Sequence, residues 1–139
     1  MILERILDMK TTGLHHVALK AQGYEAFQKM MHFYRDLLGM KVVRTWGAGD
    51  ESAAMLDTGD GSMLELFANA PDVLGMGALR HIAFACENPD AMIERVRAAG
   101  YTVTIEPKDI VIPSDPPYPA RIAFCIGAVG EEVEFFCVK

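Results

Sequence analysis

The chain has 139 residues, of which 51% are hydrophobic, and a formal net charge of −6 at pH 7. Its length allows one core, or two small modules that share a core. The acidic balance argues against a nucleic-acid partner, which needs clustered Lys and Arg, and no apolar run approaches the roughly 20 residues of a membrane span.

Residues 1–13 form an extension ahead of a repeated pattern. Apolar residues recur in it at near-helical spacing, which predicts a short amphipathic helix that covers the core or contacts a second subunit. Charged residues lie among the apolar ones, so the segment does not resemble a signal peptide. We expect a cytoplasmic protein with buried free thiols, because the cysteines show no C-x-x-C spacing and lie in apolar runs: Cys86, Cys125 and Cys137.

The first half, residues 14–68, has the order strand, helix and three further strands. A strand is predicted at residues 14–20, and apolar side chains then recur at helical spacing from Phe27 to Leu38. Gly39 is placed to end this helix in the left-handed conformation. Three strands follow, the last two forming a hairpin around a turn-rich segment: 41–46, 53–56 and 62–67.

The second half, residues 79–138, repeats this order after a linker at 69–78. A strand at 81–86 precedes a helix that Asn88 caps and Pro89 begins. The remaining segments are strands at 101–106, 122–126 and 132–138, with a loop rich in Pro and Asp at 113–119. The sequence therefore predicts a single α+β domain built from two βαβββ modules.

Strand parity singles out one histidine and one glutamate in each half. Successive side chains of a strand point to opposite faces, and large apolar neighbours mark one face as covered by the helix. His16 and His81 then fall on the open face of their strands, and Glu65 and Glu134 fall on the open face of the last strand of each half. A single histidine or glutamate in a strand more often has a structural role. The prediction therefore depends on finding all four residues at corresponding positions of the two halves.

Two imidazoles and two carboxylates at corresponding positions could bind one divalent transition metal: Zn, Ni, Co, Mn or Fe. Four ligands leave one or two coordination positions for water and substrate, as a catalytic metal requires. The pattern therefore predicts a pseudo-symmetric metal-binding cleft in a metalloenzyme.

With these features the chain resembles the vicinal oxygen chelate superfamily, which includes glyoxalase I, bleomycin-resistance proteins, extradiol dioxygenases and methylmalonyl-CoA epimerase. Members are built from paired βαβββ modules that form a curved mixed sheet around a metal-binding cleft. The order His, Glu, His, Glu is most similar to bacterial glyoxalase I. The segments that carry the resemblance are 16–19, 33–40, 64–66, 80–84 and 133–135.

The resemblance implies that the four residues hold the metal and that one glutamate is the catalytic base, with Glu134 preferred over Glu65. It implies a lyase or isomerase that moves a proton through a metal-stabilised enediolate, on a small α-oxo or thiol-adduct substrate. The dimeric glyoxalase arrangement, in which subunits share the site, implies a homodimer.

Five residues are candidates for substrate binding. In glyoxalase I enzymes the positions of Lys20 and Asn69 contact glutathione, and Lys20 here replaces an arginine and its two-pronged donor. This replacement puts glutathione as the thiol in doubt. The other three are apolar residues of the open face: Met63, Phe67 and Phe136.

Three rival functions remain open at this stage. A metal-free protein that binds a small molecule or confers antibiotic resistance could use the same cleft. An extradiol-type Fe(II) oxygenase would need only two histidines and one carboxylate. An acyl-CoA epimerase of the methylmalonyl-CoA type would use nearly the same proton chemistry as a glyoxalase.

Overall fold

The computed structural model describes residues 9–139, so the helix expected near the N-terminus lies outside the described residues. Two four-stranded mixed sheets, each carrying one α-helix, make up this part of the chain. The α+β class and the two-module architecture are confirmed. No helix among residues 9–139 is long and apolar enough to cross a membrane.

The first module forms a sheet in the order β1-β4-β3-β2, in which β1 runs parallel to β4 and the other neighbours are antiparallel. A π-helix, His32–Leu37, continues the α-helix, and a 3₁₀ turn, Gly49–Glu51, follows the second strand. The elements are β1 (His16–Lys20), α1 (Tyr24–Met31), β2 (Lys41–Trp46), β3 (Ala53–Asp57) and β4 (Met63–Phe67).

The second module repeats this topology with the order β5-β8-β7-β6 and a parallel β5–β8 pair. Asn88 Oδ1 accepts a hydrogen bond from the Ala91 N–H at 3.0 Å, as expected of the cap of the second helix. The elements are β5 (Ile82–Ala85), α2 (Pro89–Ala98), β6 (Val103–Ile112), β7 (Tyr118–Ile126) and β8 (Glu132–Val138).

The extents of two predicted strands are wrong. The strands predicted at 101–106 and 122–126 are a longer hairpin, in which Ile112 pairs with Tyr118 and Val111 with Pro119. Pro119 is tolerated because it lies near the start of its strand, where the loss of one N–H costs little. The helix predicted up to Leu38 changes to π geometry in its last turns, so that Leu38 N–H donates to the Phe33 carbonyl at 3.0 Å.

The two modules pack through their helix-bearing faces into one shared core. The rings of Phe33 and Tyr101 lie 4.8 Å apart, and those of Tyr34 and Phe84 lie 6.1 Å apart. Arg95 also donates to a carbonyl of the first module, with Nη1 2.9 Å from Leu37 O. Because the helix faces are used for this contact, the opposite face of each sheet remains open.

A buried tyrosine–carboxylate pair joins the modules at this contact. The fully buried Tyr34 donates its hydroxyl to Glu131 Oε2 at 2.6 Å, and the Val129 N–H donates to Oε1 at 3.0 Å. A Cβ on Gly127 would lie 2.5 Å from this carboxyl group, so the turn requires glycine there. Burial raises the pKa of Glu131, and its hydrogen bonds to Tyr34 and Val129 oppose the rise.

We expect Tyr34→Phe to lower the free energy of unfolding by about 1–3 kcal/mol, because it leaves a buried carboxyl group without its donor. Urea titration of the variant measures the change. Tyr24→Phe is the matched control, since Tyr24 is exposed on α1 and should change stability little. Equal stability of the two variants would contradict the proposed role of the pair.

The raised pKa of Glu131 also predicts a pH dependence of stability. Above the ordinary value of 4.5, the unfolded chain has lost a proton that the folded carboxyl still holds, so stability falls as pH rises through this window. The difference in unfolding free energy between the native chain and Glu131→Gln should therefore shift in favour of the variant between about pH 4 and about pH 8. Urea titrations of both proteins across that range test this, and a constant difference would contradict it.

Candidate metal site

The first His–Glu pair lies on the open face of the first sheet. The register pairs Ala18 with Glu65, and His16 precedes Ala18 by two residues on the same face. His16 Nε2 lies 3.5 Å from Glu65 Oε1, with side chains 39% and 18% exposed. The structure therefore brings these two predicted residues into contact, at an edge that a ligand can reach.

The second pair occupies the corresponding place on the second sheet. Ala83 pairs with Glu134, and His81 comes immediately before β5. His81 Nε2 lies 3.3 Å from Glu134 Oε1, with side chains 44% and 10% exposed. The edge of the His81 ring meets Phe124, with centroids 5.5 Å apart. In this half the glutamate is more buried than in the first, whereas the histidine is slightly more exposed.

Each pair fits the donor spacing of a metal site. Two donors bound at about 2.1 Å to one metal are about 3.0–3.4 Å apart at angles between octahedral and tetrahedral. The His81–Glu134 separation of 3.3 Å lies within this range, and the His16–Glu65 separation of 3.5 Å lies just above it. An imidazole nitrogen and a carboxylate oxygen are also ligands that divalent transition metals accept. Each pair could therefore supply two neighbouring ligands.

The two pairs do not come together within residues 9–139, where no three His, Cys, Asp or Glu side chains are close enough to hold one metal ion. The reason lies in the packing of the modules. Their helix faces meet in the shared core, and the open faces that carry the pairs point away from it. A site with all four ligands is not assembled by the described part of one chain.

The two carboxyl groups differ in environment. Burial raises the pKa of Glu134, the charge of His81 lowers it, and nearby Glu132 raises it again. Glu65 has the more exposed side chain of the two glutamates. The pseudo-symmetric repeats therefore place the two glutamates in unequal environments.

His15 contacts the first pair, although its parity suggests a structural role. The Nδ1 atoms of His15 and His16 lie 2.8 Å apart. When His16 is the donor in this hydrogen bond, its Nε2 carries a lone pair directed at the open face, the arrangement that metal-binding imidazoles use. His15 can thus orient His16.

The predicted substrate residues divide between the two sheets. Lys20 Nζ lies 5.5 Å from the ring centroid of Phe67, and Met63 is half-buried on the same open face. Phe136 belongs to the second sheet, where its ring lies 6.0 Å from that of Tyr118. Asn69 follows β4, is exposed, and forms an isolated bridge with Gln22.

Sequence reasoning did not place Arg44 and Trp46 on the first open face. The register of β2 with β3 shifts between Val42 and Arg44, so Val43 is an extra, unpaired residue. This bulge turns Arg44 and Trp46 to the face that carries Glu65. A run of β-branched and aromatic residues predicts a strand, but no local signal marks a bulge within it.

Comparison with known proteins places the chain among proteins of this architecture. The family model for the glyoxalase/bleomycin resistance protein/dioxygenase superfamily matches residues 13–114. No curated protein sequence matches the chain.

Solved structures with a similar fold agree with the family match. TnmS3, an antibiotic-binding protein from Streptomyces sp. CB03234, is 17% identical with a TM-score of 0.70, over 94% of this chain and 99% of that one. The trypanothione-dependent glyoxalase I of Leishmania major is 20% identical with a TM-score of 0.67, over 91% and 87%. A glyoxalase family protein from Enterococcus faecalis is 25% identical with a TM-score of 0.65, over 92% and 99%. From the family model and the shared two-module fold, the chain belongs to the glyoxalase/bleomycin resistance protein/dioxygenase superfamily.

Proposed function

We propose that the chain is a metal-dependent lyase or isomerase of the glyoxalase I type, acting as a homodimer on a small α-oxo or thiol-adduct substrate. The observation that carries the proposal is the pair of His–Glu contacts at ligand spacing, 3.5 and 3.3 Å, on the two open faces. The similarity in fold to the glyoxalase I of Leishmania major supports it.

We propose a dimer because each His–Glu pair could supply only two of the four metal ligands. A twofold axis that stacks the first sheet of one chain on the second sheet of its partner would create two equal clefts. Each cleft would join His16 and Glu65 of one chain with the second pair, His81 and Glu134, of the other.

The residues of the chain have distinct roles in the proposed reaction. A bound transition metal would act as a Lewis acid that stabilises negative charge on the substrate oxygens. Glu134 would remove the proton beside the carbonyl, since its burial and raised pKa favour proton uptake. Phe124 and Phe136 would keep water away from this carboxyl group, and Lys20 would attract an anionic part of the substrate.

The contact between His16 and Glu65 supports a four-ligand site over the extradiol alternative. An Fe(II) oxygenase uses two histidines and one carboxylate and leaves the fourth position open. Glu65 instead faces its histidine at 3.5 Å. An acyl-CoA epimerase would use nearly the same proton chemistry, so only substrate assays separate it from a glyoxalase.

Binding without catalysis is the second candidate function. The observation that favours it is the similarity to the antibiotic-binding protein TnmS3, at a TM-score of 0.70. Apolar and aromatic side chains on the open faces would suit a bound small molecule without any metal. Metal content distinguishes this candidate from the first.

We expect the purified dimer to bind about one divalent transition metal per cleft and to isomerise the adduct of methylglyoxal with a suitable thiol. Glu134→Gln should lower turnover about a hundredfold or more, because a positioned base contributes that much. Glu65→Gln, the matched loss of one carboxylate ligand, should cost less at equal metal content. Assays with several thiols, together with metal analysis, measure both effects. A native protein that holds no metal after reloading would favour the binding function.

A mixing experiment tests the shared cleft. His16→Ala and His81→Ala should each lose metal, but mixed dimers should regain one intact cleft, with His16 from one chain and His81 from the other. Random pairing makes half of the dimers mixed, so about a quarter of the native metal content should return after joint refolding.

The matched control mixes His16→Ala chains with Glu65→Ala chains. Both changes damage the first module, so the mixed dimers contain no intact cleft and should regain no metal. Light scattering at micromolar concentration checks that a dimer is present. A monomer, or a dimer whose mixed form regains no metal, would contradict the shared cleft.

A further inference from the structure

A bulge in β2 directs the side chains of Arg44 and Trp46 to the open face of the first sheet. Val42 pairs with Leu56 on the helix-covered face, and the extra residue Val43 then reverses the parity. Arg44 consequently pairs with Met55, which pairs with Glu65 on the open face. Without the bulge, Arg44 would face the core, where an unpaired guanidinium is costly.

Arg44 has no acidic partner among residues 9–139. Within the described part of the chain, its one side-chain hydrogen bond joins Nη1 to Met55 Sδ at 3.2 Å, and a thioether is only a weak acceptor. By contrast, Arg121, a partly buried arginine of the second sheet, binds both Asp90 and Asp109. Most of the donors of Arg44 therefore have no acceptor among residues 9–139.

An aromatic wall stands beside this guanidinium. Trp46 lies two residues further along β2 on the same face and is 41% exposed. Its ring meets the Phe67 ring edge to face, with centroids 6.1 Å apart. The register places Trp46, Ala53 and Phe67 in one row and Arg44, Met55 and Glu65 in the next. A cation and a flat apolar surface are thus neighbours.

Covering the first open face with a second sheet would change the partners that the Arg44 guanidinium needs. In the proposed dimer the open face is covered, and the guanidinium loses water that it must replace with an anion. A carboxylate is the anion that matches its planar fork through two parallel hydrogen bonds. A planar apolar group joined to that carboxylate would pack on Trp46.

We propose that Arg44 and Trp46 form a subsite for the carboxylate end of a substrate that carries a planar, apolar group. The location of the subsite within a closed cleft rests on the proposed function. Neighbouring strands are about 4.8 Å apart, so the backbone of Arg44 lies about 10 Å from that of Glu65, two strands away. The carboxylate thus binds at the far side of the first sheet from the His–Glu pair, and the reacting oxygens bind near that pair.

Benzoate and its neutral analogue benzamide are the probes. Trp46 is the single tryptophan of the chain, so its fluorescence reports binding at this corner. We expect benzoate to change the emission and benzamide to bind at least tenfold more weakly. Arg44→Gln should weaken benzoate binding about tenfold or more, and Arg44→Lys should recover only part of it. Calorimetry gives the affinities independently of the fluorophore.

Arg35→Gln is the matched control, because Arg35 is an exposed arginine that pairs with Asp36, away from the open faces. It should leave benzoate binding unchanged. Equal binding of benzoate and benzamide, or no effect of Arg44→Gln, would overturn the proposal. So would a gain of benzoate binding in Glu132→Gln, which would show that the guanidinium instead pairs with an acid of the second copy.

The test is performed on the full chain both with metal and after chelator treatment, because benzoate could also bind a metal directly. Binding that persists without metal and depends on Arg44 supports the subsite even if the metal-dependent function fails. Binding that disappears with the metal and ignores Arg44 overturns the subsite while leaving the metal site intact.

Discussion

The packing of the two helix-bearing faces against each other is the constraint on which the rest of the structure depends. Phe33 and Tyr34 are completely buried at this contact, where the chain adopts a π turn. Tyr34 also donates to Glu131 across the modules. Since each sheet has only two faces and one is used here, the other must face solvent or another molecule. The position of the His–Glu pairs follows from this division.

The same packing constraint would connect the formation of a dimer with metal binding. Two donors from one chain give a weak, incomplete site, and a second chain in the proposed dimer would complete it. Metal binding and subunit association would then stabilise each other, since a ligand that binds only the assembled form shifts the equilibrium towards it. A family fold built from duplicated modules can therefore place a catalytic centre at a subunit interface without any change in the modules themselves.

The two modules keep equivalent His–Glu pairs but differ in the surfaces around them. The first open face carries the cations Lys20 and Arg44, whereas the second presents Phe124 and the more enclosed Glu134. A cleft between unlike faces would have two different walls, and only the first would carry both Lys20 and Arg44. The ligands determine which class of reaction is possible, and the walls determine which substrate reaches them. Similar folds with different functions are the expected result.

The sequence by itself determined the order of the elements, the duplication, and the open-face position of the histidines and glutamates. These features depend on local periodicity and on residues such as Asn88 and Gly39, whose conformational preferences need no distant partner. Only the tertiary structure decided that the two pairs lie apart, that Val43 forms a bulge, and that Tyr34 meets Glu131 across 97 residues of chain. Each of these results arises from contacts between distant segments, and strand parity carries no information about such contacts.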